Sequence, residues 1–125
     1  MWIRFVPAVL WALFIFALSS RSKLPQLPGT FPGIDKVAHA VVFGVLTLLL
    51  LFADRFPRGW RALLWVAVAF AYGISDELHQ SLVPGRSVDV LDAVADLTGA
   101  LLAWAVSHWF LSIDRSKNTA LDPSS

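Results

Sequence analysis

Cysteine is absent from the 125 residues, which excludes disulfides, thiolate metal ligands and a cysteine nucleophile. Charge is scarce too: Lys, Arg, Asp and Glu make up 15% of the chain, and the formal net charge is only +1. So small an excess gives no electrostatic footprint for nucleic acid, and the basic residues lie near expected helix ends or in loops. Internal repeats and low-complexity segments are lacking. What is plentiful is apolar side chain: 57% of residues are hydrophobic and the mean hydropathy is +0.66. A soluble domain of this size cannot enclose that much. Four runs approach the roughly 20 residues that a helical crossing needs. The expected fold is therefore an all-α integral membrane protein, a compact bundle of four transmembrane helices over residues 1–112. A polar, disordered tail is expected over residues 113–125.

The first run, Phe5 to Leu18, follows Arg4 and ends in Ser19-Ser20-Arg21. First spanning helices and signal peptides share this pattern. A poor small-residue cleavage site, and the odd number of spans that cleavage would leave, favour the retained helix. Pro25, Pro28, Gly29, Pro32 and Gly33 then break regular structure between Arg21 and Gly33, which predicts an extramembrane loop. Asp35 opens a second helix from about Ile34 to Phe52, and the stretch Asp54 to Gly59 turns the chain. The third run begins near Trp60, and Pro84-Gly85 precedes a fourth from about Val88 to Leu111. Tryptophans near the expected helix ends fit an interfacial aromatic belt. Counting positive charges, Arg4, Arg55, Arg58, Arg61, Arg115 and Lys117 oppose Arg21, Lys23, Lys36 and Arg86. That balance predicts cytoplasmic termini.

Polar residues gather where such a bundle brings one set of helix ends together. The start of the second helix carries Asp35, Lys36 and His39, the first and last sharing a face. The end of the third carries Asp76, Glu77, His79 and Gln80. Arg86 follows in the turn, and Asp89, Asp92 and Asp96 form one stripe on the fourth helix. Six of the nine acids thus converge on one end. Asp96 lies roughly 10 Å deeper than Asp89 at about 1.5 Å per residue, too deep for an ordinary surface charge. Gly99 and Ala103 continue its stripe, and Ala69 with Gly73 offers the third helix a similar close approach. Ionisable groups at membrane depth are costly and mark function by default. Simpler readings stand beside this one: Asp35 and Asp89 suit helix starts, Lys36 can snorkel, and His39 can be a hydrogen-bonded structural residue. A bundle whose charges only fix packing is the plainest alternative.

Asp35-Lys36-Val37-Ala38-His39, Gly73-Ile74-Ser75-Asp76-Glu77-Leu78-His79-Gln80, Pro84-Gly85-Arg86 and Asp92 with Asp96-Leu97-Thr98-Gly99 together resemble the VanZ-like family of small bacterial membrane proteins. The likeness covers about Ser19 to Leu102. The family is named for a protein associated with resistance to teicoplanin, a lipoglycopeptide that binds cell-wall precursors outside the membrane. The resemblance thus implies a lipid-linked envelope precursor or a lipoglycopeptide as partner, beside the lipid bilayer itself. Two positions depart from the family pattern: Ala40 stands where an aromatic residue is common, and Asp96 where asparagine is.

The leading expectation is a protein that acts on or binds a lipid-linked or envelope component at the outer face of the cytoplasmic membrane. As a hydrolase or group transferase it would use Asp76, Glu77, Asp92 and His39 for acid and base work or to hold a divalent cation. Substrate contacts would come from Arg86, Gln80, His79, Lys36, Asp35, Asp96 and Asp89, with the Arg86 fork suited to a phosphate. The residue types do not choose among metals, or between a metal and none. A non-enzymatic binder that masks a precursor or antibiotic is one alternative. A proton-coupled transporter is another, disfavoured because the polar residues keep to one end.

Overall fold

The computed structural model describes residues 1–21, 33–85 and 87–121, and every regular element within them is helical. A 3₁₀ turn, Trp2–Phe5, leads into α1, Val6–Ser19, with Pro7 in the first turn, where a missing N–H removes no helical bond. Next come α2, Ile34–Ala53, α3, Trp60–Gln80, and α4, Val90–Leu121. Gly33, at φ 90°, sets the left-handed entry into α2. At the other end of α2 the Phe56 N–H returns to the Leu51 carbonyl at 2.6 Å, and the chain turns into α3.

Side-chain contacts place the helix ends. Arg4 donates to the Phe52 carbonyl at 2.8 Å, joining the beginning of the chain to the end of α2. Ser20 Oγ meets His79 Nε2 at 3.0 Å, joining the ends of α1 and α3. Lys36 reaches Asp89 and Asp92, joining the starts of α2 and α4. Neighbouring helices therefore alternate in direction, and the polar positions share one end, as the sequence predicts.

The α2–α4 pairing is the most extensive in the bundle. Gly99 makes it possible, because a Cβ there would collide with the Ala40 carbonyl. Gly44 completes the approach: a Cβ at that position would stand only 3.2 Å from the Gly99 carbonyl oxygen. Such small-residue contacts suit lipid, where helices associate by packing rather than by escaping water. Phe43, Leu46, Val66, Ala69 and Ala100 fill the interior. Trp11 Nε1 donates to the Val42 carbonyl at 2.9 Å and Tyr72 Oη to the Ala12 carbonyl at 2.6 Å, tying α1 to α2 and α3.

Outward-facing residues include Leu48, Leu63, Leu64, Val68, Leu101, Leu102 and Val106, whereas Asp76, Glu77, Gln80, Asp92 and Asp96 are buried. That inversion is the pattern of a protein dissolved in lipid. Helical segments at Trp2–Ser19, Ile34–Ala53 and Val90–Leu121 are long and apolar enough to cross a membrane. The 21 residues of α3 have the length, but their last two turns are polar and turn several of those groups inward.

The tail requires a correction. Instead of losing order at residue 113, α4 continues to Leu121. No glycine or proline interrupts 113–121, and extending a formed helix is far easier than starting one. Ser112 and Thr119 hydroxyls bond back to the His108 and Arg115 carbonyls, so even polar residues here serve the helix.

Candidate functional site

Lys36, in the first turn of α2, anchors the outer layer. Its ammonium donates to Asp35 Oδ2 at 2.8 Å, Asp89 Oδ2 at 2.6 Å and Asp92 Oδ1 at 2.6 Å, which uses all three of its donors. Asp89 also caps α4, its Oδ1 accepting the Leu91 N–H at 2.9 Å. The Lys36 ammonium beside it holds the Asp89 carboxyl below its usual range.

A second layer lies about one helical turn deeper. His39 Nδ1 is 2.8 Å from Asp96 Oδ1, and its Nε2 is 3.7 Å from Asp92 Oδ2. Asp92 therefore stands between the lysine and the histidine. The His39 ring lies parallel to Phe43, with centroids 6.4 Å apart. Asp96 has 0% exposure. Gly73 of α3 makes room for it: a Cβ there would come within 2.8 Å of Asp96 Oδ2. Glu77 completes the layer from α3, its Oε2 accepting the Asp89 N–H through a long 3.4 Å bond. Glu77 Oε1 and Asp96 Oδ2 are buried and have no hydrogen-bond partner. His39, Glu77 and Asp96 each present a donor atom within 4.8 Å of the others, an arrangement able to hold a metal ion.

The remaining polar group faces α1. Gln80 Nε2 donates to Ser19 Oγ and to Asp76 Oδ2, each at 3.3 Å. These residues edge a pocket of about 90 Å³ whose other walls include Ile15, Leu18, Val42 and Phe43. His39 lines the same pocket, so it belongs both to the apolar slot and to the buried carboxylates.

Of the expected acid–base set, His39, Glu77 and Asp92 gather together with Asp96, while Asp76 joins Gln80 at the pocket. Between the paired candidates His79 and Gln80, Gln80 is the one turned inward. The His79 ring stacks on Phe16 at 4.6 Å between centroids and meets Ser20. Arg86 lies outside the described residues. Ser19 and Gly44 carry no clear signal in the sequence. Ser19 reads only as a helix boundary, and Gly44 only as one small residue in an apolar run; it lies one turn beyond Ala40, on the side that meets Gly99.

Residues 2–111 match the family model described as VanZ/LLP1. The chain belongs to the VanZ/LLP1 family. Membership confirms the expected resemblance, and the match reaches all four helices of the bundle. This VanZ/LLP1 chain is also similar to an uncharacterized protein of the fission yeast Schizosaccharomyces pombe, with 35% identity over 96 residues, 74% of this chain. The match spans 58% of that longer protein. No solved structure matches the VanZ/LLP1 chain.

Six acids gather at this end, where Lys36 bonds Asp35, Asp89 and Asp92 and His39 bonds the fully buried Asp96. In a bilayer such an excess of negative charge demands a counterpart: protons, a cation or a cationic ligand group.

Proposed function

We propose that this protein binds a membrane amphiphile, most simply a lipid-linked envelope component, and acts on its headgroup at the acid–histidine site. The carrying observation is that His39 lines the apolar pocket and also bonds the buried Asp96. An apolar segment in the pocket would present its polar group to His39, Glu77 and Asp96. His39 and Glu77 would be the residues that touch the reacting group in hydrolysis or group transfer, as proton carriers or as ligands of an ion that polarises it. Asp92, held by Lys36, would be a positioning residue for the His39 ring. Arg86 suits a phosphate on the same headgroup.

The positive-inside count favours a site at the outer face of the membrane. A relative in a fission yeast favours an amphiphile found in many membranes over one confined to bacterial walls. Tolerance of lipoglycopeptides would then be one consequence of altering such a lipid pool. A proton relay is less favoured, because the described acid end is separated from Asp54 and Arg61 by the apolar layer of Phe43, Leu46, Leu50 and Val66.

The test is mass spectrometry of lipid-linked species in cells lacking the protein, complemented with wild type or Glu77→Gln at matched membrane abundance. A species that changes only with wild type supports turnover. Identical profiles would rule out catalysis on that pool, and saturable binding of a lipid by the purified protein without chemical change would make it a binder.

A further inference from the structure

We infer that His39, Glu77 and Asp96 form a binding site for a first-row divalent cation, with zinc held more tightly than manganese. The three residues come from α2, α3 and α4, and their donor atoms lie within 4.8 Å of one another. Ligands about 2.0–2.1 Å from a tetrahedral zinc ion stand roughly 3.4 Å apart. Small rotations of the Glu77 and His39 side chains span that difference, since neither is locked by a short bond at every polar atom.

Two unpartnered oxygens supply a separate reason. Glu77 is 4% exposed and Asp96 0%, and each keeps one oxygen with no hydrogen bond. A buried carboxylate oxygen left in this state is strongly unfavourable. Lys36 cannot relieve it, because its three donors go to Asp35, Asp89 and Asp92. His39 brings at most one positive charge to two acids. A divalent ion would satisfy both orphaned oxygens in one step.

The surroundings also suit a metal. A ligating histidine is normally oriented by a carboxylate at its other ring nitrogen, and Asp92 Oδ2 stands 3.7 Å from His39 Nε2. The choice of metal follows from the donors. One imidazole and two carboxylates suit zinc or manganese better than magnesium, which prefers an all-oxygen shell and keeps its waters. Zinc lies above manganese in the general affinity order. Three protein ligands leave a position open for a water or an oxygen of a headgroup.

The site stands independently of the proposed substrate, so its test needs no lipid. The full-length protein, purified in detergent and stripped with a chelator, is dialysed separately against zinc, manganese and magnesium, and bound metal per chain is measured by elemental mass spectrometry. About one zinc per chain is expected, less manganese, and no retained magnesium. Glu77→Gln and Asp96→Asn, both isosteric, should weaken zinc at least about tenfold, with circular dichroism and elution volume verifying the fold. Asp96→Asn keeps an acceptor for His39, which guards against loss of folding in the other variant. Asp76→Asn should retain one zinc. Absence of stoichiometric zinc from wild type, undiminished affinity in both ligand variants, or loss of zinc in a folded Asp76→Asn would each overturn the assignment. Zinc binding with unaltered lipid profiles leaves the site standing and removes the proposed reaction; altered profiles without zinc do the reverse.

Discussion

Where α2 stops and α3 begins, Arg61 donates to Asp54 Oδ1 at 2.7 Å and Trp65 Nε1 donates to the other oxygen at 2.9 Å. Arg4 adds its guanidinium to the Phe52 and Ala53 carbonyls at the end of α2, groups that every helix terminus leaves in need of partners. At the opposite end Glu77 and Asp96 each bury an oxygen with no partner at all. The first end gives Asp54, Arg61, Trp65 and Arg4 local partners and lets Arg61 reach the surface. The second concentrates acids inside the bundle beyond what its bonding can satisfy. Stability alone explains the arginine end. The acid end is built against stability, as sites for chemistry or ligands commonly are.

Removing one cation from each end should expose that difference most sharply. Lys36→Met leaves three carboxylates without their shared donor, and the expected loss is roughly 3 kcal/mol, the low side for a buried pair because the lysine side chain is 28% exposed. Arg61→Met, whose side chain is 57% exposed, should lose only about 0.5 kcal/mol. Equilibrium unfolding in one detergent reads both, and equal losses would erase the contrast between the two ends.

A smaller effect is expected where the helices beneath the acid end touch. Gly99→Ala drives a Cβ into the Ala40 carbonyl, and backbone cannot turn aside as a side chain can. A loss of about 1–3 kcal/mol is expected, together with weakened binding at the site, because α4 carries Asp96 to His39. Wild-type binding in a destabilised Gly99→Ala protein would show that this close contact serves packing alone.

Neutralising an acid should have opposite signs at the two ends. In metal-stripped protein, Glu77→Gln removes a buried charge with an unpartnered oxygen and should raise stability by about 1 kcal/mol. Asp54→Asn disrupts a matched pair and should lower it by about 0.5 kcal/mol. Melting temperatures of the two variants, measured side by side, test the signs. A destabilised Glu77→Gln would mean that the charge is already compensated inside the bundle.

Much of this is legible in the sequence because its main signals are local. Apolar runs bounded by Pro25, Pro57 and Pro84 mark four helices, and an even number of them puts the polar stripes at one end. Face assignment is legible at His39 and Asp92, whose spacing from Asp35 and Asp89 is helical. It is not legible at His79 and Gln80, neighbours at a helix end whose directions depend on where α1 lies. Sequence places Asp76 with His39 in the acid–base set and Asp96, which departs from the family pattern, among the substrate contacts. The fold instead sets Asp96 against His39, in the space that Gly73 opens. The helical extension beyond residue 113 is hidden by its polarity, which suggests disorder even where no breaker is present.

The faintest expected contrast is one of pH. Asp89 is held below its ordinary carboxyl range by the Lys36 ammonium, while the partially exposed outer layer keeps it in touch with water. Because its folded value is depressed, the stabilising contact is fully present above the unfolded value of 3.8. It is lost as pH falls through the lower folded value. Melting temperature should therefore drop as the medium is acidified below about 4, and part of that drop should vanish in Asp89→Asn. The same substitution retains an oxygen to cap α4, so the difference between the two profiles isolates the charge from the cap. Superimposable wild-type and Asp89→Asn profiles would mean that the Asp89 charge does not govern how the fold responds to acid.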